Sequence, residues 1–269
     1  MKEAMRALAR RLLPEKHYLA VLQAAKRLYY FGVSRHCPVC GGRFRCFLPG
    51  GLDLPVFQEK KVVGGGLAAE VVCPGCWSLN RERLLLLYLR QQTRIFDVKT
   101  RLLHIAPEPG LSKVLRDADT IQYISADLGA PNVMIHSDLA SLPLRSAQCD
   151  VVICCHVLEH VGDDRAAMRE ILRVLKPSGW AILQVPIALS EPETFEDPSI
   201  TSADRRECLY GQKDHVRLYG RDYQDRLQAA GFRVQRYRYA TDLGIEAVVR
   251  HGVLADEEIY IGHKDPAAA

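Results

Sequence analysis

The stretch Asp150-Val-Val-Ile-Cys-Cys-His-Val-Leu-Glu-His160 decides how this chain folds, together with Glu170-Ile-Leu-Arg-Val-Leu-Lys-Pro-Ser-Gly-Trp-Ala-Ile-Leu-Gln-Val-Pro186. Each holds a short apolar run, 150–155 and 180–186, that reads as a strand, and 163–175 between them reads as a helix. Working outward, further strands are expected at 101–106, 122–127, 232–239 and 258–262, and a helix at 222–230. Strands alternating with helices predict an α/β domain whose parallel sheet is covered on both faces. In such sheets ligands sit beyond the carboxyl ends of the strands.

Two acidic residues stand at such ends. His104-Ile-Ala-Pro-Glu-Pro-Gly110 closes the first strand, and Asp127 closes the second, 23 residues past His104. An acid at that distance, after strand, turn, helix and strand, is placed to bind both hydroxyls of a ribose. Asp138, in His136-Ser-Asp-Leu-Ala-Ser-Leu-Pro143, follows in a loop where an adenine amine could be received.

Residues 101–186 resemble the core of the class I S-adenosylmethionine-dependent methyltransferases. The phrases HVLEH (156–160) and ILRVLKPSGWAILQVP (171–186) are similar to motifs after the fourth strand and around the fifth. The likeness runs from residue 93 onward, and it implies a Rossmann-like sheet of seven strands with one antiparallel strand in a final hairpin, 232–239 with 258–262. It also implies S-adenosylmethionine as cofactor, with contacts from His104, Ala106, Glu108, Gly110, Asp127, Leu128, Asp138, Leu139 and Cys155. One departure stands out. The family's first loop is glycine-rich, whereas here Ala106, Pro107, Glu108 and Pro109 fill it, and the two prolines remove two N–H donors. Glu108 is the expected partner of the cofactor's ammonium group, since His104 holds the usual acidic position. A fold that no longer binds cofactor is the rival reading.

Before this domain the texture changes. Cys37-Pro-Val-Cys40 and Cys73-Pro-Gly-Cys76 bracket 32 residues with too few apolar side chains to fold without a staple. Four thiolates on two tight turns close a tetrahedral shell, so Cys37, Cys40, Cys73 and Cys76 are expected to hold a structural zinc in a small zinc-ribbon module. Cys46 and His36 are left over. Chelation should unfold residues 36–77 and spare the cofactor domain. The paired CPxC knuckles, HIAPEPG and DHVRLYG together resemble a bacterial group of zinc-knuckle methyltransferases. Residues 78–92 read as a helix with Ser78 as N-cap, joining module to domain. The expected division is an N-terminal arm at 1–32, the module and connector at 33–92, and the methyltransferase domain at 93–269.

Composition sets the outer bounds. The 269 residues are 48% hydrophobic and 25% charged, which excludes disorder for most of the chain. The longest apolar run, 84–89, is far too short to span a bilayer. No signal peptide is evident, and nine cysteines without a disulfide pattern suit a reducing cytoplasm. Residues 1–35 carry a charge of +6 and the rest −2, so the basic character sits in one arm. There Met5, Leu8, Leu12, Tyr18, Leu22, Ala25 and Tyr29 recur at helical spacing, divided by Pro14. Such an arm either packs on its own protein or touches an anionic membrane surface.

The polar insertion 187–220 ends in Asp214-His-Val-Arg-Leu-Tyr-Gly220, a dense group at the ligand end of the sheet. His215 is the expected base, with Asp214 as its orienter and His156 as second candidate; Arg217 and Tyr219 are expected at the substrate, and His160 is expected to pack. Three readings of function stand: a methyltransferase for a small-molecule, sugar or lipid-linked acceptor; an rRNA base methyltransferase with a zinc module; and a methyltransferase-like binding protein without catalysis. Against RNA, residues 36–269 offer no basic track.

Overall fold

The alternating side chains of one strand sort the molecule into layers. Along Cys149–Cys155, Val152 and Cys154 enter one apolar core, while Val151, Ile153 and Cys155 enter the other. A computed structural model describes residues 14–266. Seven strands form its large sheet: β1 Thr100–Ile105, β2 Ile121–Asp127, β3 Ile135–His136, β4 Cys149–Cys155, β5 Leu175–Gln184, β6 Arg233–Tyr237 and β7 Ile259–His263. Their spatial order is β6-β7-β5-β4-β1-β2-β3, with β7 antiparallel to both neighbours. The final hairpin is the one expected from the sequence. Chain order reverses between β1 and β4, which opens a crevice at their carboxyl ends.

The helix Asp164–Val174 contributes Ala167, Met168, Ile171 and Val174 to one core. Asp163 caps it, accepting the Ala166 N–H at 2.8 Å. The opposite core is built on Asn80–Gln92, whose leucines 84 to 87 and 89 are all buried. That segment is therefore a core helix rather than a bare connector. Ser78 does not cap it, because its hydroxyl faces the sulfurs of Cys37 and Cys76 at 3.4 and 3.2 Å. Glu82 takes over by accepting the Leu79 N–H at 2.8 Å. The strand β3 has only two residues, too few to show a period, and β5 starts at Leu175 with a register irregularity before Trp180.

The cysteine-bearing segment is built from two small antiparallel pairs, Phe31–His36 with Arg43–Phe44 and Leu48–Gly50 with Ala68–Val72. Phe44 and Phe47 pack against Cys37 and Cys73 as its own small core. It is fastened to the large sheet at several points. Val62–Val63 pairs with Ile187–Ala188 of the insertion. Arg83 is fully buried and donates to the carbonyls of Glu70, Val71, Ser78, His251 and Gly252 at 2.6–3.0 Å. Such a set uses up the guanidinium's donors and explains how a charge survives in the interior.

The helix Glu15–Tyr29 leans on the second knuckle, with Gln23 donating to Gly75 O at 2.6 Å and Lys26 lying 3.7 Å above the Trp77 ring. Met5, Leu8 and Leu12 of the expected arm lie outside the described residues. Among the described residues no helix is long and apolar enough to cross a membrane.

Candidate functional site

The crevice between β1 and β4 holds a cavity of about 430 Å3, lined among others by Ala106, Asp127, Leu128, Asp138, Leu139 and His156. Ala106 bends the chain out of β1 with φ of 45°, the left-handed conformation that glycine adopts more easily. Asp127 accepts the N–H groups of Gly129 and Ala130 at 2.7 and 2.6 Å, both through Oδ1. Asp138 likewise accepts the Ala140 N–H at 2.8 Å through Oδ1. Among the described residues nothing donates to either Oδ2. Each carboxylate is thus fixed by its own turn and keeps one oxygen for a ligand.

Four other residues assigned to the cofactor lie elsewhere. His104 is fully buried, with its ring nitrogens 3.1 Å from Tyr123 Oη and 3.0 Å from a Glu108 oxygen. Burial works to raise the Glu108 carboxyl, but His104 and Arg81 outweigh it and hold it below its ordinary value. Glu108 therefore turns toward His104 and Arg81 instead of lining the cavity. Gly110 packs against the cysteine-bearing segment, where a Cβ would come within 2.8 Å of Glu82 Oε2. Cys155 joins the core on the other sheet face, and burial pushes its thiol well up.

A second cavity, of about 250 Å3, opens behind the first, walled by Gly64, Gly65, Asn80, Arg81, Glu159 and Gln212. His156 and His160 line both cavities. His156 follows β4 with φ of 55°, held by its N–H to Gln184 O at 2.8 Å. A non-glycine residue in that conformation is strained, and here the strain presents its ring to both cavities. Its Nδ1 stands 3.4 Å from Glu159 Oε1.

His215 comes from the insertion and packs behind His160, lining neither cavity. Its Nδ1 is 3.1 Å from Tyr210 O, and a carbonyl only accepts, so Nδ1 carries the proton and Nε2 keeps its lone pair. Burial pushes this imidazole below its ordinary value. The expected pairing with Asp214 does not form. Asp214 sits instead 3.2 Å from Nδ1 of His160, whose ring stacks edge-on against His215 with centroids 4.6 Å apart.

Arg217 and Tyr219, expected at the substrate, are turned into the protein. Arg217 donates to the carbonyls of Leu158, Val161 and Gly162 at 2.5–2.8 Å, and Tyr219 donates to Asp164 at 2.7 Å. Together with the Val216 N–H to Glu159 O at 2.9 Å, they clamp the insertion onto the loop after β4. Glu159 was passed over by the sequence reading, and His160, expected to pack, lines both cavities. The signal was present in the spacing of His156, Glu159 and His160, which puts all three on one side of a turn.

The cysteines form a separate cluster. The Sγ atoms of Cys37, Cys40, Cys73 and Cys76 all lie within 4.8 Å of one another, with Cys37 to Cys76 at 3.7 Å and Cys40 to Cys73 at 3.9 Å. The two knuckles have matching turns, since Gly41 donates to Cys37 O and Trp77 to Cys73 O, each at 2.9 Å. Cys46 and His36 stay out of the cluster, and the His36 carbonyl accepts from His251.

Residues 99–183, which hold β1 to β4 and nearly all of β5, match the family described as a methyltransferase domain. A "Probable S-adenosylmethionine-dependent methyltransferase" of Mycolicibacterium smegmatis is 38% identical over 71 residues, which is 26% of this chain and 27% of that protein. Among solved structures, the YcgJ protein of Bacillus subtilis is similar at 19% identity and a TM-score of 0.43, over 68% of this chain and 97% of its own. An S-adenosylmethionine-dependent methyltransferase of Mesorhizobium loti is similar at 14% identity and a TM-score of 0.46, over 67% of this chain and 98% of its own. The family match spans about a third of the chain, and the chain spans about a quarter of the curated relative's length; both matches are to methyltransferases.

Proposed function

We propose that this protein transfers methyl groups from S-adenosylmethionine to a hydroxyl-bearing small molecule, sugar or lipid-linked acceptor. The observation that carries the reading is a pair of cavities meeting at His156, one of them bearing two carboxylates that each keep an oxygen for a ligand. Asp127 Oδ2 would accept the ribose hydroxyls and Asp138 Oδ2 the adenine amine, with Leu128 and Leu139 against the base. When bound, the cofactor supplies a methyl group on a positively charged sulfur. The second cavity holds the acceptor beside His156, and its narrow polar wall orients one hydroxyl. His156 has Nδ1 facing Glu159, so its Nε2 is free to take the acceptor's proton.

The cysteine cluster fits a structural zinc. Zinc–sulfur bonds of about 2.3 Å in a tetrahedron require sulfurs about 3.8 Å apart, and the two measured contacts are 3.7 and 3.9 Å. Four thiolates leave no open position, so this ion would hold the fold and take no part in transfer.

Methyl-labelled S-adenosylmethionine offered with separate pools of metabolites, glycans and RNA tests the activity. Label moving to the small-molecule or glycan pool supports the reading. Label moving only to RNA replaces the acceptor class, and transfer to none of them overturns the activity.

A further inference from the structure

Two buried carboxylates stand five residues apart and are treated in opposite ways. Asp164 receives Arg226 at 2.9 Å and Tyr219 at 2.7 Å, so its charge is met in full. Glu159 is equally buried, at 1% exposure, yet its near partner is a single long contact, His156 Nδ1 at 3.4 Å from Oε1, and neither oxygen makes a full hydrogen bond among the described residues. Nε2 of His215, at 2% exposure, and Nε2 of His156 are also without partners. An ionised carboxylate met by one long contact in the interior is costly, and so are buried ring nitrogens with nothing to accept from. Donor atoms of Glu159, His160 and His215 lie within 4.8 Å of one another.

We propose that Glu159, His160 and His215 hold a divalent transition-metal cation where the two cavities meet, and that this cation binds the acceptor's hydroxyl oxygen. The first part stands on the geometry alone; the second rests on the methyl-transfer reading. Metal-binding histidines donate their other ring N–H to a carbonyl or carboxylate, which fixes the tautomer. His215 does so to Tyr210 O, and His160 turns Nδ1 toward Asp214 Oδ2, 3.2 Å away. Two imidazoles and one carboxylate suit a first-row transition cation better than magnesium or calcium, which prefer oxygen. Three protein ligands leave positions open, and Glu159 and His160 line the second cavity beside them.

The chemistry follows from this placement. An acceptor hydroxyl on the cation becomes more acidic and gives its proton to His156 Nε2. The oxygen's electron pair forms the new O–CH3 bond, the S–CH3 pair returns to sulfur, and the proton then leaves to water. The cation keeps its oxidation state throughout.

Manganese(II) is the probe, because four thiolates select softer ions. The zinc-loaded full chain is titrated with Mn2+ and the free-ion paramagnetic resonance signal is followed, with S-adenosylmethionine affinity measured alongside. One Mn2+ per chain is expected, lost in Glu159→Gln and His215→Ala and weakened about 10–100-fold in Asp214→Asn, which acts through His160. Asp127→Ala should bind Mn2+ as the parent does. No uptake by the parent, or unchanged uptake in Glu159→Gln and His215→Ala, overturns the site. Cofactor binding without Mn2+ uptake removes the metal and leaves methyl transfer standing; Mn2+ uptake without cofactor binding does the reverse. Circular dichroism of the isosteric Glu159→Gln separates loss of ligand from loss of fold.

Discussion

The four-cysteine cluster and the Glu159–His160–His215 cluster use metal-ligand chemistry for opposite ends. The cysteines form a complete shell away from both cavities, on two knuckles of matching shape. The second cluster is half a shell, reaching the shared wall of the cavities through His160 and the second cavity through Glu159. A closed set of donors gives its binding energy to folding, whereas an open set keeps some of it for a ligand. The difference assigns stability to one cluster and turnover to the other.

The largest expected effect tests the closed cluster. Replacing Cys73 and Cys76 by serine should remove zinc and on the order of 10 kcal/mol of folding energy. The sequence alone suggested that the sheet domain would be spared. The pairing of Val62–Val63 with Ile187–Ala188 and the Arg83 bonds across to His251 and Gly252 predict that it is not. Thermal melts and limited proteolysis should show the whole chain weakened, and a melt equal to the parent's would break the contrast. The open cluster should answer differently. Glu159→Gln and His215→Ala should slow turnover about 10²–10⁴-fold. The isosteric Glu159→Gln should keep a melting temperature near the parent's, since it makes no full hydrogen bond to lose, whereas His215→Ala also loses its bond to Tyr210 O.

Glu82 sharpens the contrast between satisfied and bare carboxylates. It accepts the Leu79 and Leu111 N–H groups at 2.8 and 3.1 Å, and burial pushes its carboxyl up to about 7. The folded chain therefore holds a proton that the unfolded chain releases near 4.5, and stability falls as pH rises from there through 7. The loss should reach about 3 kcal/mol. Denaturation at pH 5 and pH 8 measures it, and Glu82→Gln should flatten the difference.

What could be read in the sequence was what neighbouring residues decide together. The strands other than β3 and the start of β5, the Asp127 spacing and the two CPxC turns are local patterns, and each stands close to where the pattern put it. The dense polar group 214–219 misled because residue types do not show direction. Besides Glu196, Arg217 and Tyr219 find their partners 55 to 61 positions away, at Asp164, Val161 and Leu158, and so turn inward. Asp214 looked like the orienter of its neighbour, but adjacent residues point apart, and it meets His160 instead. Glu159 passed unnoticed inside a family phrase, since only folding shows that it is buried with one long contact to His156. The helices Tyr239–Leu243 and Ile245–His251 were hidden by their length and by the Gly244 between them.

Calorimetric titration with S-adenosylmethionine tests the central claim most directly. The account predicts one site per chain, and a tenfold or greater loss of affinity in Asp127→Ala, at least about 1.4 kcal/mol, because Asp127 Oδ2 is the oxygen left for the ribose. No heat of binding from the folded parent, or undiminished affinity in Asp127→Ala, would contradict it.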